Sequence, residues 1–153
     1  MSTINGLPAH VLLVHAIVVL VPLTAVLAVL CALWQAARSR LIWLTVALSA
    51  IVVALTPVTT DAGEWLGDKL GWSPALRHHQ QLGDQMLYFV VPLLISALLL
   101  GWLHVWERRG RAVGRLPRVL LAVLVIAVAA AATWQTYRVG DSGAHAVWTG
   151  VGS

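Results

Sequence analysis

Four long apolar runs, Val11 to Trp34, Leu41 to Val58, Met86 to Trp106 and Val119 to Tyr137, constrain this chain most, because none carries Asp, Glu, Lys or Arg in its middle. Crossing about 30 Å of hydrocarbon at 1.5 Å per residue takes roughly 20 apolar residues, and every backbone group on the way must be paired internally. Each run meets that requirement as a helix. The predicted fold is therefore all-α, a polytopic bundle of four transmembrane helices forming one domain over residues 1–153. Composition agrees, since 59% of residues are hydrophobic and 10% charged, against about a quarter charged in soluble domains. A water-soluble enzyme is excluded. Cys31 is the sole cysteine and no CxxC or CxxCH occurs, which excludes a disulfide scaffold, an iron–sulfur centre and covalent c-type haem. The formal charge of +4 comes from basic residues scattered around the apolar runs, so the partner is the lipid bilayer and no nucleic acid is expected.

Orientation follows from where the basic residues lie. Lys and Arg in short loops are retained in the cytoplasm. Arg38 and Arg40 lie between the first two spans and Arg108, Arg109, Arg111, Arg115 and Arg118 between the last two, leaving Lys69, Arg77 and Arg138 for the opposite side. Both termini and the segment Thr59 to Gln85 are thus predicted to be extracytoplasmic. Asn5-Gly6 followed by Pro8 gives a helix start. The first run lacks the basic lead and small-residue cleavage site of a signal peptide and is expected to be a permanent span. Between the second and third spans, Asp61 and Glu64 read as a capping box. Ala62, Trp65, Leu66 and Leu70 then share one face of a short interfacial helix. Ser73-Pro74 reads as a fresh N-cap and first helical position, from which the third helix runs continuously into the bilayer.

The histidines carry the functional information. His10, His15, His78, His79 and His145 all fall at the extracytoplasmic level, and His104 alone at the other. His15 lies about 7.5 Å deeper than His10, within a run of Val, Leu and Ile. An ionisable group there is costly, so His15 is expected to be buried against a partner group, metal or cofactor. At 100° per residue the two point about 140° apart and cannot chelate one ion together. His79 shares a helix face with Gly83 and Met86, and a glycine one turn below a ligand leaves room for a flat macrocycle. Asp61, Glu64, Asp68, Asp84 and Asp141 stand at the same level. A cluster of His and carboxylates could hold Cu or Zn, with carboxylates orienting the rings, or could equally be a solvated surface. His78, beside Gln80 and Gln81, fits the solvated surface, and His104 fits an interfacial role beside Trp102 and Trp106. Trp34, Trp43, Trp102 and Trp106 near one boundary and Trp65, Trp72, Trp134 and Trp148 near the other form an aromatic belt. Ala127 to Ala132 permits close helix approach.

Three stretches carry a family resemblance. Gly6-Leu7-Pro8-Ala9-His10-Val11-Leu12-Leu13-Val14-His15, His79-Gln80-Gln81-Leu82-Gly83-Asp84, and Gly143-Ala144-His145-Ala146-Val147-Trp148 with Gly150-Val151-Gly152 resemble a bacterial family of membrane proteins. That family is domain-of-unknown-function family two-two-three-one. Val11 replaces its usual Pro, and Thr149 stands where a His or Arg often precedes the closing Gly-Val-Gly. The resemblance implies a multi-pass protein of the bacterial cytoplasmic (inner) membrane. Members are joined to Rieske or c-type cytochrome domains, which implies a place in electron transfer. The family's His positions fall on His10, His15, His79 and His145.

These readings combine into an expectation of a small membrane protein binding b-type haem near its extracytoplasmic face and exchanging electrons with a redox partner protein or quinone. His15 and His79 are the preferred axial pair, with His10 and His145 as a second pair or in support. A bundle core suits such a cofactor. The alternatives are a Cu or Zn site formed by His10, His15, His79 and His145 with Asp61 or Glu64, and a cofactor-free structural subunit of a larger complex or homo-oligomer. No nucleophile, phosphate-loop or substrate-pocket motif occurs, so an electron-transfer or binding module is expected rather than an enzyme.

Overall fold

A computed structural model describes residues 3–4 and 7–148 of the chain. A small antiparallel hairpin comes first, β1 (Thr3–Ile4) with β2 (Leu7–Pro8), Thr3 facing Pro8 and Ile4 facing Leu7. Five helices follow: α1 (Ala9–Leu33), α2 (Gln35–Leu70), α3 (Pro74–Asp84), α4 (Leu87–Arg108) and α5 (Arg115–Trp148). The first helix thus starts at Ala9, straight after the hairpin. Asn5 and Gly6 lie outside the described residues, as do Thr149 and the closing Gly150-Val151-Gly152.

Four helical stretches, α1, α2, α3 joined to α4, and α5, are long and apolar enough to cross a membrane. The all-helical, four-span architecture read from the apolar runs is what is observed. Packing is cyclic, with α1 and α4 each lying against both α2 and α5. Val21, Ala28, Ile42, Val52, Val90, Leu93, Leu100, Val125 and Ala132 fill the centre. Of the alanine run in α5, Ala129 and Ala132 are buried where helices approach closely.

The helices outrun the apolar runs, and here one expectation is corrected. No separate interfacial helix lies between the second and third spans. Asp61 to Leu70 are the last turns of α2, a single helix of 36 residues and about 54 Å. The Thr59-Thr60-Asp61-Ala62 junction contains no Pro or Gly to break it. The helix stops only at Gly71, where φ is +87° and the N–H bonds the Gly67 carbonyl at 2.9 Å. The next start is as read: the Ser73 hydroxyl accepts from the Leu76 N–H at 3.1 Å and Pro74 takes the first turn.

Continuity from α3 into α4 holds with one interruption, at Gln85 and Met86. There the Met86 N–H turns to the Gly83 carbonyl at 2.9 Å. The Leu82 carbonyl accepts instead from Gln135 Nε2 on α5, also at 2.9 Å. Gln135 is wholly buried, and its amide oxygen accepts from Arg138 at 3.2 Å. A side chain of the fourth span thereby holds the backbone of the third where its helix is irregular.

Arg38, read as a loop charge, is instead a buried helical residue, 5% exposed. Trp34 alone separates α1 from α2, so the first turn of α2 packs inside the bundle. Arg38 donates to the Cys31 carbonyl at 3.2 Å and to Glu107 of α4 at 2.7 Å. Arg118 of α5 approaches the other Glu107 oxygen at 3.1 Å. One carboxylate thus gathers three helices. Arg38→Ala is expected to lower stability by roughly 3 kcal/mol, because it leaves Glu107 buried with only the half-exposed Arg118 for a partner. Arg40→Ala, on an exposed position, should change it by less than about 0.5 kcal/mol; denaturant titration of both variants in one detergent measures the difference.

Candidate functional site

Up-and-down topology carries the start of α1, the last turns of α2, α3 and the end of α5 to one end of the bundle, opposite the Arg38–Glu107 pair. Two imidazoles meet there. The rings of His10 and His79 lie 6.2 Å apart between centroids, at 81° to each other.

Each ring is held through Nδ1. His10 Nδ1 lies 3.0 Å from the Thr59 carbonyl of α2. A carbonyl only accepts, so that nitrogen carries the proton and Nε2 keeps a lone pair. His79 Nδ1 lies 3.0 Å from the Ser142 hydroxyl. That hydroxyl already donates to the Val139 carbonyl at 2.9 Å, so it accepts from His79 and leaves Nε2 of that ring as the acceptor too. Orientation of an imidazole by a protein acceptor on its second nitrogen is the usual preparation of a metal-ligating His.

Two glycines make the room. A Cβ at Gly63 would stand 2.7 Å from His10 Cε1, and one at Gly143 would stand 3.0 Å from His79 Cε1. Gly67, one turn beyond Gly63, seats the ring of Trp72 in the same way, with a Cβ 2.7 Å from Cη2. Trp72 Nε1 in turn donates to Asp68 at 2.8 Å. Sequence reasoning passed over Thr59, Gly63 and Ser142, and met Gly143 only as part of the closing family stretch. The Gly63-x-x-x-Gly67 spacing is the signal that would have found Gly63, since it marks a helix face open to close approach.

The pair borders two spaces. A small pocket of about 40 Å³ is lined by His10, His79, Gln80, Gly83, Met86 and neighbours on α1, α2 and α5. Gly83 and Met86 thus share the His79 side of a cavity. A larger crevice of about 780 Å³ opens beside it, lined by His10, His15 and His79 and walled by Gly71, Gly140, Gly143, Ala144 and Ala146. Its volume falls within the roughly 300–1,000 Å³ of pockets that take cofactor-sized ligands.

The remaining sequence candidates sort differently from expectation. His15 is exposed on α1 rather than buried, and its Nδ1 bonds the Val11 carbonyl one turn back. The helix itself satisfies the ring without a tertiary partner. His145 lies across α5 from this crevice, in a separate one of about 350 Å³ with His78, Tyr137, Arg138 and Asp141. His10 and His145 therefore line different crevices. Asp61 and Glu64 are exposed, because Gly63 and Gly67 hold the inward face of α2. Among the described residues, no three of His, Cys, Asp and Glu converge as a metal site. His78 is exposed, whereas His104 is buried at 7%, turned into the bundle. Trp102 packs against Trp106, the rings 4.9 Å apart between centroids and tilted by 40°, with Arg111 over the Trp106 ring. The side chain of Trp148 lies outside the described residues.

Gly63→Ala is expected to displace the His10 ring and cost about 1–3 kcal/mol. Gly140→Ala, with nothing within 4 Å of the added carbon, should leave the ring in place. Imidazole NMR signals in the two variants, read with thermal unfolding, check both.

Comparison with known proteins gives a single finding. A family model described as "Predicted membrane protein (DUF2231)" matches residues 6–152. No curated protein and no solved structure matches the chain.

Proposed function

The chain belongs to the DUF2231 family of predicted membrane proteins, and on that premise we propose that it is a b-type haem-binding electron-transfer protein or subunit of the bacterial inner membrane. The carrying observation is the His10–His79 pair, 6.2 Å between ring centroids. Two imidazoles that were to share one metal ion, each nitrogen at about 2 Å, would need a ring spacing of about this size. Each ring keeps Nε2 free while Nδ1 is tied down, and both border a crevice of cofactor size. In this reading His10 replaces His15 as the partner of His79, and His15 lines the crevice.

When bound, haem supplies a one-electron couple. The protein's part is to fix both ligands, so that neither ring has to reorganise as the charge changes, and to set the potential through the two Nδ1 bonds and the apolar wall. Two protein ligands would leave no open position, which suits electron transfer over oxygen chemistry. The arginine-rich end is assigned to the cytoplasm by loop charge, so both termini and the His pair face outward. The electron partner would then be an extracytoplasmic redox protein or a membrane quinone.

A Cu or Zn ion at the same pair is the second reading, favoured by the small size of the pocket, about 40 Å³, that both rings line with Gln80. Visible spectra of oxidised and dithionite-reduced protein in mild detergent separate the two. A Soret band that sharpens on reduction, abolished in His10→Ala and His79→Ala and retained in His145→Ala, is the expected result. A featureless spectrum from haem-replete cells would overturn it, and metal analysis of that protein would then decide between the ion and a cofactor-free subunit.

A further inference from the structure

The opposite end of the bundle holds a second polar crevice that the histidine pair does not explain. It measures about 400 Å³ and is lined by Gln35 and Ser39 from the start of α2 and His104, Glu107 and Arg108 from the end of α4. His104 is 7% exposed and forms no hydrogen bond within the described residues. Its ring nitrogens are not sealed in the core but open onto this crevice, where they can meet an occupant.

The charge around it states what that would be. Seven arginines, Arg38, Arg40, Arg108, Arg109, Arg111, Arg115 and Arg118, gather at this end with Glu107 as the sole carboxylate. Arg38 and Arg118 already neutralise Glu107, at 2.7 and 3.1 Å. The Ser39 hydroxyl donates to the Ala36 carbonyl at 2.9 Å. Glu107 Oε1, though charge-paired with Arg118, accepts no hydrogen bond among the described residues, and beside it stand the available donors: the Arg108 guanidinium, the Gln35 amide and an N–H of His104, which imidazole provides in either tautomer. Planar guanidinium beside neutral donors matches a phosphate group.

Depth narrows the source. Trp34, Trp43 and Trp102 are each about three-fifths exposed close by, at the level where aromatic side chains meet lipid headgroups. Basic pockets between transmembrane helices on the cytoplasmic side take anionic headgroups. We propose that this crevice is a phosphate-binding site, with Arg108, His104 and Gln35 as donors and an anionic phospholipid headgroup as its occupant.

The test uses purified full-length protein in detergent, titrated with short-chain phosphatidylglycerol, with phosphatidylcholine of the same chain length and with sodium phosphate, read by thermal unfolding and native mass spectrometry. Phosphatidylglycerol is expected to bind and raise the midpoint more than phosphatidylcholine. His104→Gln and Arg108→Gln should each weaken binding about tenfold, and Arg40→Gln, an exposed charge that does not line the crevice, by no more than about twofold. Arg108 is exposed, so its variant keeps the fold if His104→Gln does not. A shift with phosphatidylglycerol alone supports the lipid headgroup. An equal shift with sodium phosphate supports the site and assigns its ligand to a free anion. Absence of a shift with both probes, or binding undiminished in the two variants, overturns the proposal.

Discussion

Between its helices this chain satisfies buried polar groups mainly from its own backbone. Thr24, Thr45, Ser49, Thr56, Thr59 and Thr136 each donate to the carbonyl four residues earlier. Those hydroxyls are spent mainly on their own helices and so cost little; Thr45 also meets Cys31 Sγ of α1, at 3.7 Å. The bundle is therefore joined by a few exceptions. Arg38 with Glu107 and Arg118 closes one end, and Gln135 with the Leu82 carbonyl fixes α3 near the other. His10 with the Thr59 carbonyl and His79 with Ser142 add two more. With apolar contact available equally to lipid, such bonds and close packing decide how the helices are arranged.

The two histidines show how closely that arrangement is drawn. Each ring needs an acceptor on a neighbouring helix and a glycine where a methyl group would collide. The glycines lie on the parts of α2 and α5 that extend past their apolar runs, where the helices persist although the sequence has turned polar. Glycine there weakens the helix by about 1 kcal/mol against alanine, a cost that makes sense where the backbone must come close to a side chain.

The spans were legible because a crossing of hydrocarbon is a local requirement, met within one run of residues. The level of each histidine followed from the same arithmetic, and so did the gathering of His10, His15 and His79 about one end. Their pairing did not. Whether His10 or His15 meets His79 depends on the rotation of α1 against α3, which is set by Gly63 and the Thr59 carbonyl on a third helix. Arg38 was misread for a related reason. The charge rule treats every arginine near a span as a loop residue, whereas a single-residue connection drew this one inside. The extent of α2 past Thr59 was readable in principle, since no breaker separates Thr59 from Gly63, but the Asp61–Glu64 spacing imitates a fresh helix start.

The lone residue between α1 and α2 also bears on how the protein is made. With Trp34 as their whole connection, the first two spans have no slack to be placed independently, so a chain inserted in order would have to seat them together as a hairpin. Arg38 must then be accommodated long before Glu107 has been synthesised. Its bond to the Cys31 carbonyl, seven residues back, lies wholly within that hairpin. The nascent chain thus carries its own temporary counterpart for the buried cation, and the carboxylate on α4 arrives at a guanidinium already in position.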